Sequence, residues 1–447
     1  MFCPRCNNLL EEQAAFCGEC GALIKPKRDG ETALEMPDST SPSFHAGPEP
    51  TVYAAPLASI QQHSSTMLAP EYRLPDERSA SRGGVSDALL PHTPFPHRKP
   101  QRNSSFFVFL AIIVIVALVI GGIAWFLART GPTTTAQVSF LDSQDGTPGT
   151  TNALKMTVTS LPNPPDGSEY DAWLIDTTNE QILSLGNLSK SDPTTFTLLY
   201  PNDSLQSRTN LVGAGNKIEV TQEQSKVTVP TGKVVLSATF PPLVLVHIRH
   251  LLFKFPTTPG NVGLLPGLVN EIQKINLLSR MLQSNATSSN TDSIDCIAQA
   301  IVNVIEGNKG TNFHPLAANC AHFGIGNAAI GDGFGILGNG YIATAANHTA
   351  LAASQSDTTD NIRLYAKDVQ TSTASIKVLV TKIDNDALQL LTNPIATDQV
   401  AEMLSLSDHA YHGFDQNGNG KIEPIVGEAG ALSAYTSGQR MAALTLS

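Results

Sequence analysis

The chain has 447 residues, with 28 Lys and Arg against 39 Asp and Glu for a formal net charge of -11, and it carries six cysteines. That length allows more than one folded unit, and the acidic balance gives no reason to expect a nucleic-acid partner. Four of the six cysteines lie within the first twenty positions, so the N-terminus has a chemistry of its own.

Cys3, Cys6, Cys17 and Cys20 form two C-x-x-C knuckles, the spacing with which two tight turns aim four thiolates at one tetrahedral zinc. Pro4 stiffens the first turn, and Gly18 and Gly21 let the backbone fold back towards the sulfurs. So short a unit, residues 1–25, buries too little surface to fold alone and needs the ion. Two disulfides are the competing arrangement and require an oxidising compartment. The pieces CPRC and FCGECG resemble the N-terminal zinc ribbons of many bacterial membrane and regulatory proteins. Arg5 and Lys25 are offset by Glu11, Glu12 and Glu19, so the ribbon has no basic stripe for phosphates.

Residues 26–104 are dominated by Pro, Ser, His and charged side chains without apolar periodicity, the composition of a disordered linker. Residues 105–129 contain the uncharged run FFVFLAIIVIVALVIGGIAWFLA, Phe106 to Ala128, which reads as one transmembrane helix. Arg98, Lys99 and Arg102 precede it and only Arg129 follows closely. The positive-inside rule then predicts a single-pass cell-membrane protein with a cytoplasmic N-terminus and an extracytoplasmic C-terminus. With the cysteine cluster in place of an apolar run at the N-terminus, no cleavable signal peptide is expected ahead of this span. On that reading Cys296 and Cys320 lie on the oxidising side and become a candidate disulfide.

Residues 136–240 hold short β-branched and aromatic runs separated by Pro, Gly, Asn and Asp. Alternation is clear at Leu154, Met156 and Val158 and again at Ile218 and Val220. The expected structure is an antiparallel β-sandwich. The stretches LPNPPDGSEYDAWLID, ILSLGNL and GNKIEVTQE, through Tyr170, Trp173, Leu174, Gly186, Glu219 and Thr221, resemble the extracytoplasmic domain of RskA-type membrane anti-sigma factors. The resemblance implies a sandwich with an envelope sensing or binding role. Anti-sigma-like regulation stays open as part of that role, although the cytoplasmic side departs from the family in having a ribbon and a tether where the helical domain that grips a sigma factor would be. The aromatic residues are expected to fill the sandwich core.

From 241 to 447 the apolar spacing turns helical. Ile248, Leu251, Leu252 and Phe255 share a face, as do Ile294, Ile297, Ala298, Ile301 and Ile305. The clearest stripe is Ile362, Tyr365, Val369, Ile376, Leu379 and Ile383. These predict an all-α bundle. Seven of the eleven histidines fall here, and His247, His250, His348 and His409 are candidate ligands for a metal or haem iron. Their helical phases argue for restraint: His247 lies near the edge of its apolar stripe and His250 outside it, which favours solvated or hydrogen-bonded rings over a metal or haem site.

The stretch DQNGNGKIE resembles the EF-hand-like calcium loops of exported bacterial proteins. Asp415, Asn417, Asn419, Lys421 (through its carbonyl) and Glu423 are the candidate ligands. The twelfth position is Val426, so the usual bidentate carboxylate is missing unless Glu423 or Glu428 reaches in. The Gly-rich run GIGNAAIGDGFGILGNGY lacks the pattern of a phosphate loop.

Neither a G-x-S-x-G elbow nor an H-E-x-x-H zinc motif occurs, and the expectation is a non-enzyme. The expected function is an envelope sensor or adaptor with a cytoplasmic protein partner, an unidentified exterior ligand, ribbon zinc and loop calcium. The alternative is a metal- or haem-binding helical bundle.

Overall fold

Strict alternation sets the first layer of the fold. In β1 (Thr135–Leu141) the side chains of Ala136, Val138 and Phe140 point to one face and are buried, and in β2 (Ala153–Thr159) Leu154, Met156 and Val158 do the same. The structure is a computed structural model that describes residues 133–447, apart from 144–148, 202–208, 225–226, 287–289, 326–329 and 395–396, together with Val116. Residues 133–447 belong to one compact unit; residues 28–127 separate as a second, of which only Val116 is described.

The remaining strands are β3 (Glu169–Asp176), β4 (Gln181–Asn187), β5 (Ser189–Asp192), β6 (Thr195–Tyr200), β7 (Lys217–Glu223), β8 (Lys233–Thr239) and β9 (Leu444–Leu446). They form an antiparallel sheet ordered β5-β6-β2-β1-β9 and another ordered β4-β3-β7-β8. The two sheets meet at one edge, where Ser237 and Ser447 exchange backbone hydrogen bonds of 3.3 and 3.4 Å. The expected alternation at Ile218 and Val220 faces the core. Trp173 points the other way yet is fully buried, with its indole N–H donating to Thr221 Oγ1 at 2.7 Å. Tyr170 does fill the core, edge-on to Phe196 with centroids 5.5 Å apart.

The helices are α1 (Leu211–Ala214), α2 (Pro242–Leu252), α3 (Leu264–Ala286), α4 (Thr291–Glu306), α5 (Tyr341–Ser354), α6 (Asp360–Thr392), α7 (Thr397–His412) and α8 (Ala431–Met441). Pro242 opens α2, where the missing N–H costs nothing and the fixed φ suits the first turn. Thr359 caps α6, accepting from Ile362 N, and the stripe Ile362, Val369, Ile376 and Ile383 is buried. Cys296 on α4 and Cys320 in the 3-10 turn Ala318–Phe323 are joined by a disulfide, which pins the following loop to the helix.

Strands and helices are not independent bodies. Their buried residues form one continuous apolar cluster, and the chain returns from the helices to supply β9 at the edge of the first sheet. Polar ties reinforce the join. Asp142 Oδ1, beside β1, accepts from the Tyr435 hydroxyl of α8 at 2.6 Å, and that hydroxyl accepts from Thr151 N and Gln439 Nε2 at 3.1 Å each. Asn210 caps α1 and donates to Thr150 O and to Leu252 O at the end of α2. Arg249 donates to Val212 O and Gly215 O.

Two expectations require correction. Among the described residues no helix is long and apolar enough to cross a membrane, so the expected single-pass membrane architecture and its cytoplasmic-to-extracytoplasmic orientation are not supported. The physical reason lies in the long helices themselves: α3 carries Glu271, Lys274 and Arg280, and α6 carries Lys367, Lys377, Lys382 and Asp384 among its apolar positions. The run 105–129 lies outside the described residues except for Val116. The second correction concerns the fold class, since a separate sandwich and a separate bundle give way to strands and helices around a shared core. The ribbon cysteines and the linker, residues 1–104, also lie outside the described residues.

Removing the Tyr435 hydroxyl strips one partner from the half-buried Asp142 carboxylate and leaves Thr151 N and Gln439 Nε2 with Asp142 Oδ1 as their remaining acceptor. Tyr435→Phe is expected to cost about 1–3 kcal/mol in urea unfolding. Replacing Cys296 and Cys320 together by Ser frees a loop with a sequence separation of 24, with an expected loss of about 3 kcal/mol in the same measurement.

Candidate metal centre

Helix α2 is covered on more than one side, and that placement creates the site. Its apolar stripe, Val244, Ile248, Leu251 and Leu252, enters the common core, while His247 and His250 are covered where α5 packs across. His247 is 0% exposed, His250 9%, and His348 from the middle of α5 only 1%. The restraint drawn from helical phase therefore fails for these two rings, because a stripe marks a solvent boundary only when one face of the helix is packed.

The three rings converge through the same atom. His247 Nδ1 lies 3.1 Å from His348 Nδ1, and His250 Nδ1 lies 3.3 Å from it. One ligand atom from each residue falls within 4.8 Å of the other two, so the cluster could hold a metal ion. Hydrogen bonding alone satisfies the arrangement poorly. A neutral ring nitrogen has either one hydrogen or one lone pair, so His348 Nδ1 cannot bond fully to both neighbours. Two nitrogens bound tetrahedrally at about 2.05 Å from a metal are themselves about 3.3 Å apart. The two separations from His348 Nδ1 match that edge, and the third pair lies within 4.8 Å.

Electrostatics keep the lone pairs available. Burial pushes His247 and His250 down to about 4 and His348 to about 3, with the neighbouring imidazoles adding to the effect at His250 and His348 and Asp357 opposing it at His247. All three are neutral at pH 7, the form that ligates metals. The loop between α5 and α6 supplies the surrounding shell. The Gln355 amide lies 3.0 Å from His247 Nε2. The nearer amide atom is the nitrogen, which donates to Nε2; the reverse amide orientation presents the oxygen, accepts an Nε2 hydrogen and leaves the Nδ1 lone pair facing the cluster, the tautomer that metal binding requires. Asp357 caps α2 by accepting from Leu243 N at 2.7 Å through Oδ2, while its buried Oδ1 has no hydrogen-bond partner. Phe255 closes an apolar wall, with centroids 5.3 Å from His250 and 5.0 Å from His348.

His409, the fourth histidine expected in such a site, stacks on Phe414 at 4.4 Å and is not part of the cluster. Gln355 and Asp357 carried no sequence signal, since neither belongs to a motif. The packing of α5 against α2 alone brings them into play.

The calcium-loop residues also converge, on one another. Asp415 accepts from Gly418 N, Asn419 N and Gly420 N, and Asn417 and Asn419 accept from Asn419 N and Lys421 N. Glu423 accepts from both asparagine amides. Glu428, 1% exposed, turns in from the fourteenth position to accept from Asn417 N and Glu423 N, whereas Val426 at the twelfth is exposed.

A carboxylate cluster not anticipated from sequence joins α3 to the loop before α5. Glu271, 1% exposed, accepts from Lys274 Nζ at 2.7 Å and from Asp332 N at 3.2 Å, and Tyr341 donates to Asp332 Oδ2 at 2.5 Å. Gly267 makes room for the Tyr341 ring, which a Cβ there would strike. Burial and the Asp332 charge raise Glu271 to about 7 against the opposing pull of Lys274.

No protein-family model matches this chain, nor does any curated protein or solved structure. The likenesses to zinc ribbons, RskA-type anti-sigma factors and EF-hand-like loops therefore rest on their motifs alone.

Folded Glu271 holds its proton more tightly than the unfolded side chain, whose ordinary value is 4.5. Its contribution is thus full below about pH 4.5 and is lost as pH rises through about 7. Glu271→Gln, permanently neutral, is expected to gain about 2 kcal/mol over the parent at pH 8 and little at pH 4.5. Urea unfolding at the two pH values checks it.

Proposed function

We propose that the protein binds a transition-metal ion through His247, His250 and His348. The supporting observation is the meeting of three Nδ1 atoms at separations of 3.1 and 3.3 Å, inside a buried and neutral environment. Imidazole-only sites suit ions of the zinc and copper class, and a hard cation such as calcium finds no oxygen ligand among these three residues. Three protein nitrogens leave a fourth position for water or an exogenous ligand.

Haem fits less well. The three rings and Phe255 pack with centroids 4.7 to 5.4 Å apart, except for the 6.3 Å between His247 and His250, which is too close for a porphyrin to lie among them. The sensor or adaptor function expected from the ribbon and its tether depends on residues outside those described.

Chelator-stripped full-length protein dialysed against Zn²⁺, Cu²⁺ or Co²⁺ is expected to take up one equivalent that His348→Ala does not, with tetrahedral Co²⁺ bands in the parent-minus-variant difference spectrum, any Co²⁺ on the N-terminal cysteines being common to both. Gln355→Leu is expected to keep the equivalent but weaken its affinity by about 10–100-fold, as loss of an orienting partner does. Equal uptake of all three ions by the parent and by folded His348→Ala would refute the proposal.

A further inference from the structure

Beside the histidines lies an open cleft of about 1120 Å³, with His348 and Phe255 in its lining and Glu306, Asn308, Asn312 and Asp384 elsewhere on its wall. Asp384 projects from α6 and is 9% exposed, and its Oδ1 is buried without a hydrogen-bond partner. An orphaned carboxylate oxygen in such a place costs free energy unless something positive or a proton meets it.

The surroundings favour positive charge. Glu306 is the last residue of α4, so it adds a carboxylate to the partially negative end of that helix. Its two oxygens accept from Asn312 N at 2.7 Å and Asn312 Nδ2 at 2.6 Å, which fixes the group at the cleft wall while leaving lone pairs unused. Burial and then the Glu306 charge raise Asp384 to about 7 with no basic side chain opposing them there, although Lys309 also lines the cleft. The nearest lysine along α6 by sequence, Lys382, pairs instead with Asp386 and Glu402. Asn308, Asn339 and Asn347 add neutral amides to the lining. An oxygen-rich set of this kind suits hard divalent cations, in contrast to the nitrogen set of the histidine cluster.

We propose that Asp384 and Glu306 hold a hard divalent cation of the Mg²⁺, Mn²⁺ or Ca²⁺ class in this cleft, with Asp384 Oδ1 as its anchoring ligand. The site is separate from the histidine centre and does not depend on it. The two would place unlike ions along one cleft, one bound by nitrogen and the other by oxygen.

Mn²⁺ is the probe. Chelator-stripped full-length protein is titrated with Mn²⁺, and the unbound ion is counted by its electron paramagnetic resonance signal. The parent is expected to bind one equivalent more than Asp384→Asn and one more than Glu306→Gln, while His348→Ala keeps that equivalent. Any Mn²⁺ taken by the loop at Asp415 is common to all four proteins and cancels. Should Asp384→Asn fail to fold by circular dichroism, Glu306→Gln, at a half-buried position, decides alone. Uptake undiminished in the folded variants overturns the proposal and assigns Asp384 a proton instead. An equivalent lost in His348→Ala but kept in both carboxylate variants also overturns it, by placing the ion among the histidines.

Discussion

The packing of α2 between the shared core and α5 is the constraint from which the candidate chemistry follows. A helix covered on one side would leave His247 and His250 in water, charged in part at neutral pH and free to turn. Covered on both, they lose their solvation, stay neutral and are held with their Nδ1 atoms facing that of His348. The same packing positions Gln355 and Asp357, because the loop joining α5 to α6 must pass the N-terminal end of α2. Ligand geometry, ligand charge and the surrounding shell thus share one cause.

Helix α2 is itself held by the strands. Only two residues separate it from the end of β8, and Arg249 and the Asn210 side chain fasten its C-terminal half to the α1 region. At the other end of the chain, Tyr435 and β9 tie α8 back to β1. A site composed wholly of helical residues therefore depends on the sheets for its rigidity, which is the physical sense in which this is one unit and not a sandwich with a bundle appended.

Desolvation acts on the carboxylates in the opposite sense and with equal consequence. Glu271 and Asp384 are both raised to about 7 by burial and by a neighbouring acid, but their settings differ. Glu271 has Lys274 and a loop amide to answer its charge, so it works as a joint between α3 and the segment before α5. Asp384 has neither; its unpartnered Oδ1 is buried, and the residue lines a cleft. One is a structural carboxylate; the other has the attributes of a ligand.

Local pattern alone determined a good part of this protein. Period-two alternation located β2 and β7, helical spacing located α6 with its buried stripe, and the residue types picked out His247, His250 and His348 as ligand candidates. What pattern could not determine is which distant surfaces meet. The shared core, the return of β9 to the first sheet, the exclusion of His409 and the recruitment of Gln355, Asp357 and Asp384 all come from contacts between residues far apart in the chain. Periodicity reports how one element divides its own faces between water and protein. It carries no information about a second partner that covers the remaining face, and here that second partner, α5 against α2, makes the site.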